Sequence, residues 1–150
     1  IGVMTDCQSR ASEINSQIAE KFAALTIKNK KHTAKRALYF IWRNPYMCVG
    51  GDTFISDMMN MAGYDNLMYY HKRYPELSEK KMAELNPEII LLSSEPYPFK
   101  ARHIEEFKTI CPKAEIKLVD GEFFAWYGSR MIKAADYFHQ LCDSNSNVSE

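Results

Sequence analysis

The sequence predicts an α/β domain: a three-layer lobe with a mainly parallel sheet flanked by helices, preceded by one long helix. Three observations carry this. The runs 37–42 (ALYFIW), 89–92 (IILL) and 116–119 (IKLV) have strand length, and the first two are continuously apolar, as parallel strands covered on both faces are. Segments with helical spacing stand between them, so strands and helices alternate, which implies right-handed crossovers. The chain of 150 residues is long enough to bury one real core without staples.

Each element follows from its local pattern. Ile14, Ile18, Phe22 and Leu25 recur at steps of four, four and three, one apolar stripe of a helix opposite Glu13, Gln17 and Glu20. Thr5 or Asp6 can cap it, and it runs to about Leu25. Some 20 residues rise about 30 Å, long for a domain of this size. Residues 28–36 (KNKKHTAKR) read as a basic, solvated linker. The first strand is followed by a loop at 43–51, punctuated by Pro45 and the pair Gly50-Gly51. Phe54, Ile55, Met58, Met59 and Ala62 mark a helix, with Gly63 as its stop. Residues 66–70 read as a short strand. Ser78 caps a helix carrying Met82 and Leu85, and Pro87 ends it. After the second strand, 95–99 (EPYPF) is a loop. Ile104, Phe107 and Ile110 define the next helix, on which His103 is expected to be exposed. Residues 120–130 (DGEFFAWYGSR) read as an aromatic loop. Ile132, Ala135, Phe138, Leu141 and Cys142 line the last helix, and 143–150 (DSNSNVSE) read as a disordered tail.

Composition removes several functions. Lys plus Arg is 19, Asp plus Glu is 19, and the net charge is 0. Nucleic-acid binding draws its affinity from neutralised phosphates, so no nucleic acid is expected as a partner. No run approaches ~18 apolar residues, so no membrane span is expected. Cys7, Cys48, Cys111 and Cys142 are scattered without a CxxC pair, which argues against zinc and for small buried hydrophobes. Residue 1 is Ile, which reads as a processed or internal start, and no signal pattern precedes the fold.

Open parallel sheets bind ligands beyond the carboxyl ends of their strands. The loops expected there hold Trp42 and Tyr46; then Tyr97 and Phe99; then Phe123, Phe124, Trp126 and Tyr127. Loops are normally polar, so this edge suits a large, planar, partly apolar ligand. Any single ring could instead fold back as core. Arg43 and Arg130 are candidates for the ligand's anionic groups, Arg130 equally a tie at the head of the last helix. No catalytic constellation stands out. There is no GxGxxG, no GxxxxGK[ST] and no GxSxG, and the four histidines stand in separate segments. Gly50-Gly51 before a helix reads as a tight turn rather than a phosphate cradle. His71 with Glu95 is the one pair that could serve an enzyme.

Three stretches carry a resemblance. IWRNPYMCVGGDTFISDMMNMAGYDNL, YPELSEKKMAELNPEIILLSSEPYPF and VDGEFFAWYGSRMIKAADYF, in this order and spacing, resemble the C-terminal lobe of the periplasmic binding proteins of ABC importers for cobalamin and ferric siderophores. The match spans about residues 37–142, and residues 1–27 resemble the backbone helix that joins the two lobes. The resemblance implies a two-lobed receptor of which this chain holds one lobe, with the N-terminal lobe absent. It implies a corrinoid, haem-like or ferric-siderophore ligand held by Trp42, Arg43, Tyr46, Tyr97, Phe123, Phe124, Trp126, Tyr127 and Arg130. Any metal would arrive inside the ligand, with no protein-ligated metal and no cofactor. It implies a periplasmic or cell-surface location, with the membrane reached only through an ABC permease or a lipid anchor outside this chain. In the family a surface Glu docks an Arg pocket on the permease. The matching position here is Lys80, and Glu79 stands one residue earlier, about 100° around the helix. The family's Gly-Gly after the first lobe helix is here Gly63-Tyr64. The alternatives are a chelatase-like or metallocluster module on the same architecture, and a protein-interaction domain using the aromatic edge.

Overall fold

A computed structural model describes residues 7–29 and 33–146, with no side-chain description at 28 and 142–146. The expected caps Thr5 and Asp6, linker residues 30–32, the side chain of Cys142 and tail residues 147–150 lie outside the described residues.

In chain order the elements are α1 (Gln8–Asn29), β1 (Lys35–Trp42), β2 (Met47–Cys48), α2 (Phe54–Met61), β3 (Tyr64–Asn66), α3 (Glu79–Leu85), β4 (Ile89–Ser93), α4 (Arg102–Ile110), β5 (Glu115–Val119), α5 (Gly121–Ala125) and α6 (Arg130–Ser146). The sheet runs β2-β1-β4-β5. β1, β4 and β5 are parallel, with Leu38 opposite Ile90 and Ile90 opposite Ile116. β3 lies parallel beside the start of β1, and β2 antiparallel beside its end.

The strand period of two sorts side chains into two cores. Ala37, Tyr39, Ile41, Ile89 and Leu91 face one side, where Phe22 and Leu25 of α1, Met58 and Met59 of α2, Phe124 of α5 and Phe138 of α6 cover them. Leu38, Phe40, Ile90 and Leu92 face the other, under Met82 of α3 and Phe107 of α4. This burial on both faces is why β1 and β4 read as continuous apolar runs. The expected α1 stripe packs as its spacing requires: Phe22 meets the ring of Phe138 edge-on at 6.4 Å, and Lys21 pairs with Asp136 at 2.5 Å. Cys48 and Cys111 are buried free thiols, and burial pushes Cys48 up to about 12.

Several boundaries differ from the sequence reading. α1 continues to Asn29, whose side-chain amide donates to the carbonyl of Met61 at 2.7 Å, and β1 begins at Lys35, so the linker is shorter than 28–36. The short strand falls at Tyr64–Asn66 and residues 67–70 form turns, because Asn66 is buried and bridges Val49 and Ser56. The aromatic loop contains α5, capped by Asp120, whose carboxylate accepts from the amide of Glu122 at 3.1 Å. α6 carries on to Ser146, past the expected start of the tail.

Candidate functional site

The three parallel strands deliver their following loops to one sheet edge, and the loop after β4 ties the other two to itself. Its Tyr97 amide donates to the carbonyl of Ile41 at the end of β1, 3.2 Å, and its Ser94 amide to that of Val119 at the end of β5, 2.9 Å. The amide of Gly121 donates to the hydroxyl of Ser94 at 3.0 Å. Beneath them Tyr39, buried in the core, donates to Ser93 at 3.1 Å, and Ser93 donates to the carbonyl of Glu95 at 2.6 Å. A Cβ at Gly121 would overlap the side chains of Ser93 and Glu95, so a larger residue there would have to displace them.

On the β1 side, exposed Trp42 meets half-buried Tyr97 edge-on at 5.7 Å, and Tyr97 in turn meets Phe99 at 4.8 Å. The Trp42 indole donates to the carbonyl of Asn44 at 3.1 Å. Arg43, expected to meet a ligand's anions, is engaged within the chain while its side chain stays 42% exposed. It forms an ion pair with Glu106 of α4 at 2.9 Å, and the hydroxyl of Tyr46 donates to the same carboxylate. Burial disfavours charge on Glu106, but the hydrogen bonds from Arg43 and Tyr46 outweigh it and hold the carboxyl below the usual range. Burial and then that carboxylate push the Tyr46 phenol up. The Tyr46 ring packs on Phe107 at 5.3 Å, rooting it in the core below α4.

On the β5 side the aromatics divide. Phe124 is 0% exposed, packed 5.0 Å from Tyr39 and 4.8 Å from Phe138, which corrects its expected role as a ligand contact: it is core. Phe123 is half-buried and stacks on Tyr137 at 4.7 Å. Trp126 remains 48% exposed. Its indole donates to Glu95 at 2.9 Å, and the Arg130 guanidinium lies 4.9 Å from its ring centroid. Arg130, the first residue of α6, also pairs with Glu122 of α5. Tyr127 is 69% exposed and stacks on Phe54 at 4.1 Å with the rings 29° apart.

Glu79 is exposed at the start of α3, beside an open groove of about 770 Å³ between the β1 loop and α3. Arg43, Lys81, Glu76 and Glu106 also line it. Arg43 is taken by Glu106 and Lys81 by Glu84 at 3.3 Å, whereas Glu76 and Glu79 have no ion-pair partner among the described residues. His71 and Glu95 do not meet. The His71 carbonyl accepts from Gly51 in the loop outside β2, and Glu95 is occupied by Trp126. Among the described residues no three His, Cys, Asp or Glu side chains gather as a metal site, and no helix is long and apolar enough to cross a membrane.

Sequence reasoning missed three residues here. Phe54 and Glu106 belong to helices whose spacing gave no sign that they face these loops. His103 was expected on an exposed helix face but is 3% exposed, because the first turn of α4 folds under Phe99 and Tyr97. Its Nδ1 accepts from the amide of Lys100 at 2.9 Å. Burial, then the charges of Arg102 and Arg43, lower its pKa.

The fold is shared with known proteins. The periplasmic haem-binding protein HutB of Vibrio cholerae superposes with a TM-score of 0.78 at 19% identity, over 95% of this chain and 60% of that one. A substrate-binding protein of an ABC transporter from Listeria monocytogenes EGD-e superposes with 0.76 at 19% identity, over 93% and 59%. The periplasmic vitamin B12-binding protein BtuF of Vibrio cholerae gives 0.68 at 12% identity, over 86% and 52%. The chain thus spans roughly three fifths or less of these structures. A search of curated proteins by sequence finds no match. Residues 1–110 match the family described as periplasmic binding protein, which is more than half of the chain. The chain belongs to the periplasmic binding protein family.

Proposed function

We propose that this chain is the C-terminal lobe and interlobe helix of a solute-binding receptor serving an ABC importer, acting outside the cytoplasm as a binder rather than an enzyme. Residues 37–142 form the lobe in this reading, and α1 reaches toward the lobe that would close the cleft. The observation that carries it is the edge itself. Three loops knitted together by the 93–97 segment hold Trp42, Trp126 and Tyr127 exposed where an open parallel sheet binds its ligand. Exposed rings on a rigid frame suit a large planar ligand with apolar faces, of the haem-like, corrinoid or ferric-chelate kind. Both arginines of the edge are paired with glutamates, so this lobe contributes stacking and apolar burial more than anion capture. A metal in such a ligand is cargo.

The groove beside α3 is the proposed permease contact. Two carboxylates without ion-pair partners, Glu76 and Glu79, are suited to a basic side chain on the importer, with Glu79 in the role that the family gives to its docking glutamate.

Calorimetric titration of the two-lobed receptor carrying this chain with haemin, cyanocobalamin and a ferric catecholate siderophore tests the reading. At least one should bind at micromolar affinity or better, about −8 kcal/mol. The 150-residue chain should bind the same ligand far more weakly, because one wall buries only part of it. Absence of heat with all three would overturn the proposal.

A further inference from the structure

Two neighbouring rings on the turn between α5 and α6 share an unusual arrangement. Each has one face covered by a partner and remains largely exposed otherwise. Trp126 lies under the guanidinium of Arg130, which is itself steered by Glu122 at the start of α5. The indole N–H is fixed from a different loop by Glu95, whose backbone is held against Ser93. Tyr127 lies flat on Phe54, the first residue of α2. An exposed Trp on a turn would ordinarily sample several rotamers, and ordering a side chain on binding costs affinity. Here two side chains already engage the ring of Trp126, Glu95 at its N–H edge and Arg130 at one face.

We propose that Glu95 and Arg130 are positioning residues that hold Trp126 as a one-sided stacking platform, Glu95 by fixing the indole edge and Arg130 by covering one face. The proposal rests on the edge being a ligand-binding surface. It reassigns Arg130 from a contact for ligand anions to a support for the ring. It also gives Glu95 a role that needs no catalysis. Glu95 fixes the rotation of the ring, and Arg130 leaves a single face for a planar ligand to take.

The test uses the full 150-residue chain with Trp42→Phe, so that Trp126 is the only tryptophan. Acrylamide quenching and emission anisotropy then report its freedom without any ligand. Glu95→Ala and Arg130→Ala should each raise quenching and lower anisotropy, while the melting temperature and far-UV spectrum stay with the parent. Glu95→Gln keeps an oxygen that can accept from the indole and should leave Trp126 held. In the Trp42-containing receptor, Glu95→Ala should weaken binding of haemin or cyanocobalamin about fivefold, the scale of one lost hydrogen bond. Quenching unchanged in both alanine variants would overturn the clamp. So would unchanged affinity in a receptor that binds either probe. Failure of the parent receptor to bind either probe would instead overturn the ligand reading on which the proposal rests, and the quenching data would still report whether the ring is held.

Discussion

Trp126 and Phe124 are two positions apart and meet opposite fates. Phe124 closes the core between Tyr39 and Phe138, whereas Trp126 stands on the surface beside Glu95. Truncation separates these roles. Phe124→Ala should cost about 3–5 kcal/mol of folding stability in denaturant titration, since it opens a cavity that packed neighbours cannot refill. Trp126→Ala should change stability little and weaken ligand binding by roughly 1–3 kcal/mol, as expected for an aromatic contact buried only in the complex. A large stability loss in Trp126→Ala with binding unchanged would move the site to another face. His103 gives a prediction in pH. Its native pKa lies below the ordinary value of about 6.5, so the unfolded chain binds the proton more readily. The stability it contributes is present above that value and is lost as pH falls through the lowered native pKa. The parent should therefore melt lower as pH drops from 7 to 5, and His103→Gln should lose less over the same interval. Equal slopes would show that His103 does not govern this range.

At the scale of elements, the parallel strands were legible because both faces of β1 and β4 are buried, and the apolar runs say so directly. α2 was legible through its apolar spacing and the stop at Gly63, and α3 through its cap Ser78 and the Pro87 after it; the Thr53 cap and the Asn86 stop come from the structure. Thr53 accepts from the amide of Ser56 and Ser78 from that of Lys81, while Gly63 and Asn86 take positive φ at their ends. α5 was not legible as a helix. Five residues starting with glycine and carrying two phenylalanines give no periodicity, and only Asp120 two places before Glu122 hints at a cap. Asp120→Ala should cost about 1 kcal/mol in thermal melts. It should also loosen Trp126, because α5 carries Glu122, the residue that steers Arg130. Gly50-Gly51 was read as a tight turn, and what the structure adds is a reason for both glycines that lies far along the chain. The amides of Gly50 and Gly51 donate to Arg73 and His71 at 2.7 and 2.9 Å, and a Cβ on either glycine would overlap the backbone of the 69–73 loop. Gly51→Ala should therefore destabilise the fold by about 1–3 kcal/mol, as overpacking does. A neutral result would mean that the loop yields more readily than its hydrogen bonds imply. The candidate edge was legible in which loops form it and in its exposed rings. The pairings that decide each ring's role, Glu95 with Trp126 and Glu106 with Arg43, join residues 31 and 63 positions apart, which no local pattern reports.

Across the whole molecule, one sheet supports two separate groups of exposed aromatics. The edge beyond β1, β4 and β5 carries Trp42, Trp126 and Tyr127 on loops bound to one another. A second aromatic group, Tyr69, Tyr70 and Tyr74, stands on the loop outside β2, with Tyr70 96% exposed. These tyrosines form an internal control, since they are exposed aromatics outside the proposed cleft. Hydroxyl-radical footprinting of the two-lobed receptor, with and without the ligand that titrates it, compares the two groups in one sample. The proposed cleft requires that ligand protect Trp42, Trp126 and Tyr127 and leave Tyr69, Tyr70 and Tyr74 as reactive as before. Protection of the tyrosine loop with Trp126 and Tyr127 unchanged would contradict it.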